Sequence, residues 1–255
     1  MTGWLPHRRG EEAIEWMDAG RGTAREVAQA YDQLETVNRL LSGYRATFEA
    51  IEELLPRGDA PLGILDVAGG AGDFGARLAQ AARARGRRPM AWVLDVNPLA
   101  LSAARRWSEA GVRPIRGDAL ALPFPDRSLD LVHCATFFHH LSTARARDAL
   151  AEMCRVSRRL VVVNDLVRSW VAAGAIWGLS RAFSDNRLIR HDGPLSVLKA
   201  FLPREVLALA RAVGVEAPAY RWQLTRVFPY RFALVGVRCA GATDGETPRR
   251  GVPDP

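Results

Sequence analysis

Three acids stand just beyond apolar runs in this chain. Asp66 follows Ile64-Leu65, Asp95 follows Ala91-Trp92-Val93-Leu94, and Asp118 closes the stretch Val112-Arg113-Pro114-Ile115-Arg116-Gly117. Past Asp66 the chain turns through Gly69, Gly70 and Gly72, and a helical pattern with Phe74, Leu78 and Ala81 begins. A strand, a glycine turn and a helix together offer backbone N–H groups to a charged ligand. The glycines permit the tight turn and a close approach to the backbone. A carboxylate ahead of such a turn suits a ligand that carries an ammonium group next to a carboxylate; for a pyrophosphate it is out of place.

Two ligands compete for this pattern. Gly70-Ala71-Gly72-Asp73-Phe74-Gly75 satisfies the dinucleotide fingerprint, with Asp95 ending a second strand. Asp66 and Asp73 weigh against a pyrophosphate there and favour S-adenosylmethionine (SAM). Asp95 is placed to accept hydrogen bonds from both ribose hydroxyls. Asp118, with the N–H of Ala119, is placed to read the edge of an adenine. A second set of residues has acid–base chemistry: His139, His140, Asp165 and His191. A His near its ordinary pKa, oriented by a carboxylate, is a suitable base for a phenolic hydroxyl.

Strands must carry these groups. Leu129–Cys134 reads as a fourth strand and Arg159–Asp165 as a fifth, alternating with helical patterns. That alternation predicts an α/β fold, a Rossmann-like parallel sheet with helices on both faces. His139-His140 follow strand four and Asp165 ends strand five, so the two segments should meet at the carboxyl edge, where ligands bind such sheets. Trp222–Val227 and Arg231–Arg238 supply two further strands, giving seven with the last antiparallel.

With these pieces in view, the chain resembles a class I SAM-dependent methyltransferase. Within that class it is similar to the quinone-biosynthesis type and its natural-product relatives. The matching segments are Leu65-Asp66-Val67-Ala68-Gly69-Gly70-Ala71-Gly72-Asp73, Leu94-Asp95-Val96-Asn97, Gly117–Asp126, Ser128–Val132 and Phe138-His139-His140-Leu141, in order over roughly residues 62–165. The resemblance implies ligand contacts from Asp66, Ala68, Gly70, Asp73, Asp95, Val96, Asn97, Asp118, Ala119 and Ala135. Three departures stand out. Ala68 replaces a usual first glycine, Tyr31 and Asn38 are more widely spaced than in the quinone enzymes, and Val156–Arg159 replaces the usual Pro-Gly-Gly turn.

The remaining organisation is predicted as follows. Residues 1–58 form an N-terminal helical cap, with one helix over 23–55 in which Val27, Tyr31, Leu34, Val37, Leu40 and Leu41 are spaced for one core-facing side. Residues 59–240 form the methyltransferase domain, and 165–200 a substrate-binding insertion made of an apolar helix and a loop that holds His191. Residues 241–255 read as a disordered tail. The tryptophans and aliphatics of the insertion should line an apolar pocket for an aromatic or acyl-bearing small molecule, although the same apolar helix would also suit a membrane or carrier surface. Tyr31 and Tyr44 are candidates to close over the ligand.

Composition bounds the alternatives. The net charge is +7 over 255 residues, yet every basic residue except Lys199 is arginine and no aromatic–basic interleaving occurs. Nucleic acid is therefore not expected as a partner. No apolar run reaches the length of a spanning helix, and Met1–Arg25 lacks the order of a signal peptide. The three cysteines have neither metal nor disulfide spacing. A cytoplasmic enzyme without a metal site is expected, with SAM as cofactor. The expected reaction is O-methylation of a phenolic hydroxyl with a His base. C-methylation of an electron-rich ring, a nicotinamide-dependent reductase and a non-catalytic SAM-binding protein are the alternatives.

Overall fold

The apolar run around Asp66 forms strand β1 (Pro61–Val67), in which every residue after Pro61 is buried. Burial on both faces is what a central parallel strand requires. The computed structural model describes residues 13–216 and 220–239. Strands β2 (Arg88–Asp95), β3 (Val112–Arg116), β4 (Leu129–Ala135) and β5 (Ser157–Leu166) continue the sheet, and β6 (Tyr220–Val227) and β7 (Arg231–Arg238) complete it. The strand order is β3-β2-β1-β4-β5-β7-β6. The first five strands pair in parallel, and β7 runs antiparallel between β5 and β6. The seven-stranded Rossmann-like reading holds, including the antiparallel last strand.

The order reverses at β1, which pairs β2 on one side and β4 on the other. Such a switch point opens a crevice beyond the carboxyl ends of the strands. Register brings Asp66 beside Val93 and His133, and Ala135 beside Asn164.

Helices cover both faces. Helix α1 (Ala24–Leu40) begins in a capping box between Thr23 and Glu26, and α2 (Gly43–Ile51) follows it. On one face α2 and α3 (Asp73–Ala84) bury Ile51, Leu78 and Ala79 against Leu62 and Val93. On the other, α5 (Thr143–Val156) and α8 (Pro203–Glu216) pack around Phe138, Leu150, Phe201 and Val206. Phe138 has no exposed surface, so truncating it to Ala should cost about 3–5 kcal/mol. Helix α4 (Pro98–Ala104) starts at the Asn97 cap, with Pro98 in its first turn.

Four expectations need correction. The single helix over 23–55 is two, because Ser42 takes a left-handed φ of 59° between them. Leu34 and Leu40, read as core-facing, are exposed. The loop around His191 is instead helix α7 (Arg187–Lys199), which follows α6 (Trp170–Phe183). Gly193-Pro194 looks like a break, but the Asn186 cap and the burial of Leu188 and Val197 hold the helix through it. The expected pocket lining is also reversed: Trp170, Val171, Trp177, Leu179 and Phe183 face outward. Cys134 and Cys154 are buried and Cys239 is exposed, all three unpaired. The predicted tail at 241–255 lies outside the described residues, as does the start of the predicted cap.

Candidate active site

The glycine loop is built from left-handed residues. Ala68 has φ 51° and Gly70 φ 54°. A non-glycine there carries strain, of the kind that collects at functional turns. A side chain at Gly70 would meet the Tyr31 ring at 2.8 Å, and one at Gly69 would meet Asp66 Oδ2 at 2.6 Å. The loop is therefore clamped between α1 and β1. Trp107 fixes its far side by donating Nε1–H to the Ala71 carbonyl at 3.0 Å.

Each strand-end acid has its own environment. Asp66 is fully buried, and its Oδ1 meets His133 Nδ1 at 2.8 Å while its Oδ2 has no hydrogen-bond partner among the described residues. Asp95 accepts from the N–H of Gly70 at 2.9 Å and of Asn97 at 2.8 Å, which ties the loop to β2. Burial raises the Asp95 carboxyl above the usual range, against the pull of those N–H groups. Burial likewise raises Asp73, which accepts from the Tyr44 hydroxyl at 2.6 Å. Asp118 is exposed and accepts from the N–H of Leu120 at 2.9 Å in a local turn. Val96 is exposed beside it at the sheet edge, the Asn97 side chain caps α4, and Ala119 and Ala135 are buried.

His139, just past β4, and Asp165, at the end of the neighbouring β5, come into contact. His139 Nδ1 lies 2.7 Å from Asp165 Oδ1, and the His139 backbone N–H donates to Oδ2 at 3.0 Å. Both residues are buried. Burial works to raise Asp165, but the His139 charge and hydrogen bond outweigh it and hold the carboxyl below its usual range. The Asp165 carboxylate therefore takes the Nδ1–H side of the ring and turns Nε2 away from itself, toward Glu15 Oε1 at 3.9 Å.

His140 is different. Its Nδ1 lies 2.7 Å from Asp18 Oδ2 and 3.8 Å from Glu15 Oε1. Burial works against the imidazolium, but Glu15 and Asp18 prevail and push its pKa up to about 9. Glu15 also approaches His139 Nε2 at 3.9 Å and Lys199 Nζ at 3.2 Å. The ligand atoms of Glu15, His139 and His140 lie within 4.8 Å of one another, a grouping with metal-binding potential. The Lys199 ammonium pairs with Glu15, the acid of this group, at 3.2 Å.

His191 lies outside this pair. Its ring stacks on Trp16 at 4.1 Å and its Nδ1 meets Asp192 at 2.7 Å. Asp192 in turn accepts from the N–H groups of Trp16 and Met17. His191 therefore helps to anchor the N-terminal segment over the site.

Several residues at the site carry no sequence signal of their own. Glu15 and Asp18 sit in an acidic stretch like many others, and Lys199 is marked only by being the sole lysine. Behind the loop, His133 Nε2 meets Thr47 Oγ1 at 3.0 Å, and Asn164 Nδ2 donates to the same oxygen at 2.8 Å. Arg231 donates to Asn38 at 2.9 Å, and burial lowers its pKa to about 10, still charged near neutrality. This network links β1, β4, β5 and β7 to the two N-terminal helices.

The structure is a Rossmann-like α/β sheet with a glycine loop and acids at its carboxyl edge, and comparison with known proteins finds methyltransferases. Residues 64–159 match the family model described as a methyltransferase domain. The chain is similar to the demethylmenaquinone methyltransferase of Thermus thermophilus, at 40% identity over 54% of this chain and 62% of that protein. It is also similar to the ubiquinone/menaquinone biosynthesis C-methyltransferase of Dinoroseobacter shibae, at 38% identity over 56% of this chain and 58% of that protein. The chain thus spans about three-fifths of the length of these relatives. Among solved structures, a SAM-dependent methyltransferase from Aquifex aeolicus superposes with a TM-score of 0.59 at 17% identity, over 86% of this chain and all of that one. Magnesium protoporphyrin IX methyltransferase from Synechocystis, with bound S-adenosylhomocysteine, gives 0.51 at 15% identity over 90% of each chain. The resemblance read from the motifs is to this class, and within it to the quinone-biosynthesis group.

Proposed function

We propose that the chain is a SAM-dependent methyltransferase for a small, apolar aromatic or acyl-bearing acceptor with a phenolic or related hydroxyl. The observation that carries this reading is the His139–Asp165 pair, held at the carboxyl ends of β4 and β5. The loop residues fit SAM: Asp66 Oδ2 is a buried acceptor without a hydrogen-bond partner among the described residues, which suits an ammonium, and the Tyr31 ring rests against Gly70. Asp95 would hold the ribose and Asp118 with Ala119 the adenine, while Tyr31 covers the loop. SAM supplies, when bound, a methyl group activated by a sulfonium leaving group.

The chain's own part is alignment and proton removal. Asp165 fixes the His139 ring, and His139 Nε2 accepts the acceptor's hydroxyl proton as the methyl is transferred to oxygen. His140, already protonated near neutrality, does not serve as a base and adds positive charge beside the acceptor oxygen. A buried pair favours an acceptor that gives up water readily, in keeping with an apolar ring or chain. The described part of residues 1–58 serves as cap, and within 165–200 helix α7, not the outward face of α6, is the segment facing the acceptor. Three unpaired cysteines accord with a reducing, cytoplasmic setting.

A second reading, C-methylation, is favoured by the names of the curated relatives. The same base would remove the hydroxyl proton, the ring carbon would take the methyl as the sulfonium leaves as a thioether, and loss of that carbon's own proton to solvent would restore the aromatic ring.

The test begins with calorimetric titration of SAM, S-adenosylhomocysteine and NADPH into the protein and its Asp95→Ala variant. Micromolar binding of the adenosyl ligands, lost in the variant, supports the reading; binding of NADPH alone overturns it in favour of a reductase. Incubation with hydroxyarenes and methyl-labelled SAM, followed by NMR of the product, then separates transfer to oxygen from transfer to carbon. Tight SAM binding with no product across that screen would instead indicate a non-catalytic binding protein.

A further inference from the structure

Helix α6 is apolar on the wrong side for a water-facing element. Its inner face, Ala172, Ala173 and Ile176, packs on Leu166, Val197 and Leu198. Its outer arc carries Trp170, Val171, Trp177, Leu179 and Phe183, all exposed. An exposed face of a surface helix normally carries most of its charge; here the one charged residue is Arg181, whose guanidinium lies 4.2 Å over the Trp177 ring.

The patch continues off the helix. Tyr230, in the turn between β6 and β7, accepts at its carbonyl from the N–H of Val167 at 2.7 Å, which sets that turn beside the start of α6. Phe228 on the turn is 80% exposed, and Phe183 at the far end of α6 is 82% exposed. Arg226, just before the turn, is also exposed. Neither residues 166–184 nor residues 220–238 contain an aspartate or a glutamate.

We propose that this face docks on an anionic lipid bilayer, with α6 lying flat in the interface. Aromatic and aliphatic side chains next to arginines are the composition of a helix in that position, and the acid nearest Phe183, Asp185, is paired with Arg190 at 3.1 Å. The helix has 14 residues, and among the described residues no helix is long and apolar enough to cross a membrane. Docking between two copies is disfavoured by the charge: a symmetric contact would set the same arginines against each other. An anionic surface complements them. The proposal rests on this surface alone and is independent of the methyl-transfer reading.

The test is co-sedimentation of the full chain with vesicles of phosphatidylcholine alone and of equal parts phosphatidylcholine and phosphatidylglycerol. Binding to the anionic vesicles is expected to exceed binding to the neutral ones by roughly tenfold and to weaken in high salt. Phe183→Asp and Phe228→Asp, at positions too open to matter for folding, should each reduce binding roughly fivefold or more. Their unfolding temperatures should stay within about 2 °C of the parent. Equal binding by parent and variants, or none by the parent, overturns the proposal. So does a dimer in sedimentation equilibrium that the two variants dissociate, since that assigns the face to a second copy of the chain.

Discussion

His139 and Asp165 make two hydrogen bonds to each other, one from the ring and one from the backbone, at 2.7 and 3.0 Å. The carboxylate thus fixes both the position of the imidazole and its tautomer. Asp165→Asn removes the charge and leaves the shape. It should lower methyl transfer by about 10²–10⁴-fold with SAM affinity unchanged. His139→Ala should lose as much, and the double variant little more, because the two act as a unit. Single-turnover rates alongside calorimetry would check this; additive losses would mean that the pair is not the base.

His140 makes stability depend on pH. Its folded pKa of about 9 lies above the ordinary 6.5, so the native state holds the proton more tightly. The resulting stability is fully present below about pH 6.5 and is lost as pH rises through 9. The difference amounts to at most roughly 3 kcal/mol. Thermal melts from pH 6 to 9.5 should show a decline that His140→Gln flattens. A parallel decline in the variant would assign the effect to another group.

Gly70 joins two constraints that one experiment can separate. Its φ of 54° is costly for any side chain, and a Cβ would strike the Tyr31 ring. Gly70→Ala should therefore weaken SAM binding about tenfold, in line with a strain cost of roughly 1–2 kcal/mol. Adding Tyr31→Ala relieves the collision and leaves the backbone cost, so the double variant should recover only in part. Full recovery would show that the collision alone matters.

Lys199 and Glu15 form a buried ion pair at 3.2 Å beside the two histidines. Lys199→Met should destabilise the fold by about 3 kcal/mol, because it takes the nearest cation from a buried carboxylate and leaves it only His140 at 3.8 Å. The double variant Lys199→Met/Glu15→Gln should regain much of that in denaturant titrations. With the ammonium in place, turnover should survive chelators. Loss in EDTA and return with Mg²⁺ would instead assign an ion to Glu15, His139 and His140.

The chain determined by local pattern alone that a parallel sheet ends in acids, that a glycine loop follows β1, and that His139-His140 and Asp165 leave adjacent strands. These features are legible because strand period, turn chemistry and strand-end position lie within a few neighbouring residues. The tertiary structure decided which histidine pairs with Asp165 and which becomes a cation, because His140 meets Asp18 from 122 positions away. It likewise placed Glu15 and Lys199 at the site, closed the loop around His191 into a helix, and turned the tryptophans of α6 outward. Periodicity marks a face as apolar without saying what covers it. That depends on contacts between segments far apart in the chain, and these exist only once the sheet has assembled.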